Sequence, residues 1–196
     1  MGHSQASKQT THDRLVSIAA ERFCELGIDG LSIANLMKEA GLTHGGFYKH
    51  FESRDQLVAE ALAAAFRRSE DPQGSHRANF TTLVDEYLSP EHRDGVGTGC
   101  AVGALVSDIG RVQGEARELY TRKLRANFSG IATLLGDAQD TEKRAQAIVA
   151  FSAMVGALGL ARGAADEALS LEILSTVQRF LLDSFGGDRE APAQPT

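Results

Sequence analysis

A chain of 196 residues that is 42% apolar has enough hydrophobic material for one large domain, or for a small and a medium one, with a real core. Its two cysteines, Cys24 and Cys100, are too few and too far apart for a disulfide framework and fit a reducing cytoplasm. A net charge of −6 excludes nucleic-acid binding through bulk positive charge, so any such binding has to rest on a local motif.

Residues 1–10 are polar and are expected to be disordered; with no apolar run they show no secretory signal. A first helix is predicted from about His12 to Leu26, with Leu15, Ile18, Ala19 and Phe23 on its buried stripe and Gly27 ending it. Ser32 is the N-cap of a second helix, IANLMKEA, whose buried face is Leu36, Met37 and Ala40. Gly41 stops that helix because glycine alone takes the left-handed backbone at no cost. Thr43 is placed to cap the next helix, which sets His44, Tyr48, Lys49 and His50 among the apolar Phe47 and Phe51. Helix, glycine turn and short helix with polar tips is the helix-turn-helix plan, whose second helix enters the DNA major groove. Ser53 caps a fourth helix, in which Asp55 suits the positive N-terminal end and Arg67 and Arg68 the negative C-terminal end.

Beyond it, residues 70–76 break the chain with Pro72 and Gly74, and a helix is predicted over about Asn79–Leu88. Residues 89–99 read as a glycine-rich loop. Gly97 and Gly99 are followed by Val102 where a dinucleotide fingerprint needs its third glycine, and no strand precedes them, which rejects that site. Further helices are predicted at Cys100–Ile109, at about Gly114–Leu135, at 142–162 and at about Leu169–Phe185; the tail, 186–196, is expected to be disordered. The segment between Arg144 and Arg162 is uncharged and near the lower length limit of a membrane span. Gln146, Ser152 and its small residues favour a helix buried in a core, with no membrane partner. The fold class is all-α with about nine helices. Residues 1–55 hold 6 basic against 7 acidic side chains, so the acidity sits mainly in 56–196.

The stretch AAERFCELGIDGLSIANLMKEAGLTHGGFYKHFESRDQLVAEAL resembles the TetR family of bacterial transcriptional regulators. Its marks are the alanine-containing first helix closed by Gly27, then A-G-L-T, then F-Y-K-H-F and S-R-D-Q-L. The resemblance implies an N-terminal three-helix DNA-binding domain, 1–55, and a C-terminal helical domain, 56–196, that dimerises and binds a small-molecule effector. It implies that Ser32 and Thr43 bond DNA phosphates and that His44, Gly45 and Gly46 lie closest to base edges. Tyr48 and Lys49 would contact phosphates or bases, His50 the backbone, and Arg54 a phosphate. Gly45 and Gly46 bring no side chains and each costs about 1 kcal/mol of helix propensity, so specificity would rest on His44, Lys49 and DNA shape.

Other features have plainer readings. Phe47 and Phe51 are core. His44 and His50 fall on different helix faces with no third ligand near, which argues against a metal, and His12, His76 and His92 are expected to be exposed. Phe66, Tyr87, Cys100, Tyr120, Phe128, Phe151 and Met154 are the candidates to line an effector cavity. Helices 142–162 and 169–185, the latter with Leu174 and Leu181, are expected to pair with their twofold mates. The expected function is therefore a homodimeric repressor that binds a pseudo-palindromic double-stranded operator and is released by an effector, without catalysis or cofactor. Two alternatives stay open: a repressor that senses electrophiles or oxidants through Cys100, and a helical interaction module that does not bind DNA.

Overall fold

The structure, a computed structural model, describes residues 2–68 and 79–186, with side chains from residue 5; the expected break at 70–76, His76 and the tail beyond 186 lie outside the described residues. Among the described residues the regular elements are all helices, without strands. It divides into two compact units, Met1–Pro72 with Gly95–Leu124, and Gln73–Asp94 with Arg125–Thr196.

The first unit begins with α1, Gly2–Leu26, which includes residues expected to be disordered. Local side-chain bonds support the exposed start of this helix: the Thr10 and Thr11 hydroxyls donate to the Ala6 and Ser7 carbonyls one turn back. Gly27 closes α1 at φ +78°, and its amide donates to the Phe23 carbonyl at 2.9 Å. Helix α2, Ile33–Glu39, starts where the Ser32 hydroxyl accepts from the Asn35 amide at 3.1 Å. A 3-10 helix, His44–Lys49, follows, and then α3, Arg54–Arg68, whose first turn is capped by the Ser53 hydroxyl accepting from the Gln56 amide. Leu15, Ala19, Phe23, Leu36, Met37, Phe47, Phe51 and Leu62 are almost wholly buried and form the core under these helices. Each such large side chain contributes roughly 1.5–3 kcal/mol on leaving water.

The same unit takes in α6, Ala101–Ala104, a 3-10 turn at Ile109–Arg111, and the first part of α7, Glu115–Leu134. The apolar stretch from Cys100 to Ile109 was expected to be one helix. It is a single turn followed by hydrogen-bonded turns, with Gly103 inside it and Ser107 and Asp108 at its end, residues that favour turns over helix.

The second unit holds α4, Phe80–Tyr87, the short α5, Pro90–Asp94, the remainder of α7, α8, Thr141–Gly163, and α9, Glu167–Phe185. Helix α5 lies in the expected glycine-rich loop. Pro90 suits a first helical position, and the Ser89 hydroxyl caps the turn by accepting from the His92 amide. Asp140 and Asp166 cap α8 and α9 with their carboxylates. Side chains on α8 and α9 hold α5: Arg162 donates to the His92 and Arg93 carbonyls, while Arg93 donates to Glu167 and to the buried Ser170 hydroxyl at 2.9 Å. Helix α8 is long and apolar enough to cross a membrane, yet Ala147, Ala150, Phe151, Met154, Ala157, Leu158 and Ala161 bury one side of it within the unit. Leu174 and Leu181, expected to face a partner subunit, are buried inside the unit as core residues.

Candidate nucleic-acid interface

The end of α2 and the 3-10 helix form the expected helix-turn-helix. Gly41 takes φ +69°, its amide donates to the Lys38 carbonyl at 3.0 Å, and the Leu42 amide donates to the Met37 carbonyl at 2.8 Å. The chain reverses there because only glycine adopts that backbone without strain. Thr43 is extended just before the 3-10 helix, as an N-cap residue is, but its hydroxyl makes no capping bond. The bond that starts the helix comes instead from the backbone, the Gly46 amide donating to the Thr43 carbonyl at 2.9 Å. Two adjacent glycines weaken an α-helix, and the tighter 3-10 form is what remains.

Side chains of the 3-10 helix separate sharply by burial. Phe47 is 0% exposed and stacks on Phe51 at 5.2 Å between ring centroids; Tyr48, the next residue, is 69% exposed and meets the edge of Phe47. His44, Gly45 and Lys49 are exposed with it, as are Thr43 and Ser32. The Ser32 oxygen accepts the cap bond, which leaves its proton to donate outward. Gly46 is backed by Met37, whose Cε lies 3.3 Å from where a Cβ would stand.

Two of the expected contact residues are turned into the domain. The Arg54 guanidinium donates to the Ile28 carbonyl at 2.6 Å and the Leu31 carbonyl at 3.1 Å, so it ties the start of α3 to the turn after α1. His50 is half-buried and its Nδ1 is enclosed with no partner. Burial holds this ring below the ordinary histidine pKa, and the nearby charges of His12, Lys8 and Lys49 lower it further.

Other residues of the domain gave no motif signal. Arg22 of α1 clasps Glu39 of α2 through Nε at 3.0 Å and Nη2 at 2.9 Å, and also bonds Glu25. The carboxylates raise its guanidinium further above its ordinary pKa, and the charge of Glu39 at the end of α2 is thereby offset. His12, expected to be exposed, is half-buried between α3 and the 3-10 helix: its ring bonds Glu60 and the His50 carbonyl and lies 4.6 Å from the Phe51 ring. His92, also expected to be exposed, is half-buried, with its Nδ1 donating to the Tyr87 carbonyl at 2.7 Å. His92 follows the core residue Tyr87 closely, whereas His12 has no aromatic within two helical turns in sequence, and periodicity alone does not distinguish either from a surface ring.

The candidate effector residues fall in both units. In the first, Phe66 and Tyr120 are buried with ring centroids 6.3 Å apart, and the Tyr120 hydroxyl donates to the Val102 carbonyl. Burial, with Cys100 adding to it, pushes the Tyr120 pKa up to about 12. Cys100 is half-buried and precedes α6, without capping it. In the second unit Phe151 meets Tyr87 at 6.0 Å and Phe128 at 5.9 Å, and Met154 is fully buried. Among the described residues, no three His, Cys, Asp or Glu side chains gather as a metal site.

An exposed polar edge on a three-helix core, backed by a glycine turn, defines a helix-turn-helix protein of the DNA-binding class. Residues 15–61 match the model of the family described as bacterial regulatory proteins, tetR family. It is 34% identical over 50 residues to the HTH-type transcriptional repressor KstR2 of Mycolicibacterium smegmatis, a match over 26% of this chain and 24% of that one. The chain thus aligns with about a quarter of that relative's length. The whole fold is similar to a TetR transcriptional regulator from Chloroflexus aurantiacus, with a TM-score of 0.78 and 21% identity over 93% of this chain and 98% of that one. It is also similar to the reduced form of Escherichia coli NemR, with a TM-score of 0.69 and 19% identity over 89% and 96% of the two chains.

Proposed function

We propose that this chain is a transcriptional repressor that binds a pseudo-palindromic operator as a homodimer and leaves it when a small-molecule effector binds. The observation that carries the reading is the split along the 3-10 helix, where Phe47 is fully buried and Tyr48 beside it is 69% exposed. That split anchors a rigid edge whose outward groups, Ser32, Thr43, His44, Tyr48 and Lys49, are donors suited to phosphates and base edges. Gly45 lets the backbone come close. Arg54 and His50 act from within, by holding α3 and the end of the 3-10 helix. The repressor name of the Mycolicibacterium relative, matched across this domain, agrees.

In this reading residues up to about 55 read DNA and the remainder dimerises and binds the effector, with Phe66, Tyr87, Cys100, Tyr120, Phe128, Phe151 and Met154 as cavity candidates. The dimer is supported by large apolar side chains left outside on α8 and α9: Val149 is 54% exposed, Leu160 68% and Phe180 63%. An effector that binds one dimer state better than the other shifts the population away from DNA. Selection of genomic fragments with the pure protein, followed by footprinting, tests the proposal. A twofold footprint with half-site centres about 34–36 Å apart is expected; a single asymmetric half-site, or no enriched fragment, overturns it.

A further inference from the structure

Around His12 a chain of hydrogen bonds joins three elements of the DNA-reading domain. The Glu52 amide donates to Gln56 Oε1 at 2.7 Å, and Gln56 Nε2 donates to Glu60 Oε1 at 2.9 Å. The other oxygen of Glu60 lies 2.6 Å from His12 Nε2, and His12 Nδ1 lies 3.2 Å from the carbonyl of His50, the residue that ends the 3-10 helix. Both partners of the ring are acceptors. A neutral imidazole has one N–H, so either tautomer leaves a lone pair against an oxygen; only the imidazolium donates to both.

We propose that His12 is a positioning residue for DNA reading: as an imidazolium between the Glu60 carboxylate and the His50 carbonyl, it fixes the C-terminal end of the 3-10 helix to α1 and α3 and makes duplex affinity depend on its proton. This rests on the DNA-binding reading above. The charged and titratable groups around the ring are Lys8 and Asp13 on its own helix, His50 and Lys49 on the 3-10 helix, and Glu60 on α3. Asp13 accepts from Gln9 at 2.7 Å. His50 is the poorer source of the proton response, because burial and the neighbouring positive charges lower its pKa and its Nδ1 is enclosed without a partner. Losing the His12 proton with rising pH removes one of the two bonds and loosens His50, Phe51 and Glu52, the residues that carry the outward Tyr48 and Lys49.

Glu60→Gln separates this from a merely structural contact. The new amide can accept from Gln56 through its oxygen and donate through its nitrogen to a neutral His12, which still donates from Nδ1 to His50. The clamp then closes without the proton. The test is amide hydrogen exchange of residues 47–52 in the full-length protein, referenced to the α2 amides, at about pH 5.5 and about pH 8, the span in which imidazoles ordinarily titrate. In the wild type, protection should fall roughly tenfold or more between the two, the size of one hydrogen bond to a charged group. In Glu60→Gln it should hold at both. Wild-type protection that does not change, or a Glu60→Gln protein with the same loss, overturns the proposal. His12→Gln, provided its melting curve stays cooperative, should show the loosened segment at both pH values.

Affinity for a random-sequence duplex is measured alongside in the wild type and in Glu60→Gln, which share the exposed His44 and differ only in the clamp. Affinity that follows the exchange supports the proposal, and affinity that ignores it overturns the link to DNA reading. A protein that binds no duplex at either pH, with the exchange effect intact, refutes the DNA-binding reading and not the clamp.

Discussion

The Arg54 guanidinium donates to the Ile28 carbonyl at 2.6 Å, across the 26 residues between the turn after α1 and the start of α3. A second bond to the Leu31 carbonyl at 3.1 Å makes the pair a clasp, with the Asp29 carboxylate 4.0 Å away. Arg54→Ala should therefore cost about 1–3 kcal/mol of stability, through two carbonyls left without a charged donor. It should leave the salt dependence of duplex binding unchanged, whereas loss of a phosphate contact lowers the slope by about 1. Thermal melts and salt titrations of the same variant distinguish the two.

Gly45 and Gly46 respond differently to a methyl group. Nothing lies within 4 Å of a Cβ at Gly45, and its backbone is not left-handed, so Gly45→Ala should raise stability by about 0.4–1 kcal/mol. Its duplex affinity should fall, because the added methyl sits where the backbone would approach DNA. A raised melting temperature with unchanged affinity would show that Gly45 faces away from the duplex. Gly46→Ala meets the flexible end of Met37 at 3.3 Å and should gain less stability than Gly45→Ala.

Helix α9 offers two positions of opposite kind. Phe180 is 63% exposed and Leu181 is fully buried. Phe180→Glu should weaken the dimer in sedimentation velocity while the melting of the dissociated chain stays cooperative, since the charge enters an apolar interface only in the dimer. Leu181→Ala should cost about 2–5 kcal/mol of stability by opening a cavity in the core. A dimer mass unaltered by Phe180→Glu moves the interface elsewhere.

Bonding to Arg93 holds the Asp94 carboxyl below its usual pKa against the opposing effect of burial, with the charges of Arg93 and Arg162 adding lesser contributions to the lowering. A carboxyl lowered on folding stabilises the fold above its unfolded pKa, and that contribution fades as pH falls through the lowered value. Melting curves of Asp94→Asn should therefore lie below the wild type at neutral pH and converge with it in acid below about pH 4. Because the carboxylate is exposed, the difference should be small. A difference that persists in acid assigns the effect to packing rather than charge.

Much of the DNA-reading domain was legible because its signals are local. Ser32 as a cap, Gly41 as the turn and Ser53 as the start of α3 each act within three or four residues, and each stands in the structure as read. The fate of a long side chain is not local. Arg54 is directed inward by carbonyls 23 and 26 residues away, and His12 by partners 38 and 48 residues away. The apolar spacing of α9 was correct, but spacing does not say whether the same chain or a second chain covers a face; Leu174 and Leu181 are buried within the single chain. Thr43 shows the limit of capping rules, since its backbone took the cap conformation and its hydroxyl did not make the bond.

The measurement that bears most directly on DNA binding is duplex affinity of the full-length protein across salt, wild type against Lys49→Ala. Lys49 is an outward cation on the 3-10 helix, and a phosphate contact there releases a counterion. The wild type should lose affinity linearly on logarithmic axes as salt rises. Lys49→Ala should bind all sequences more weakly by a similar factor, with a slope smaller by about 1. Binding that ignores salt, or a Lys49→Ala slope equal to that of the wild type, would contradict the placement of this edge against the DNA backbone.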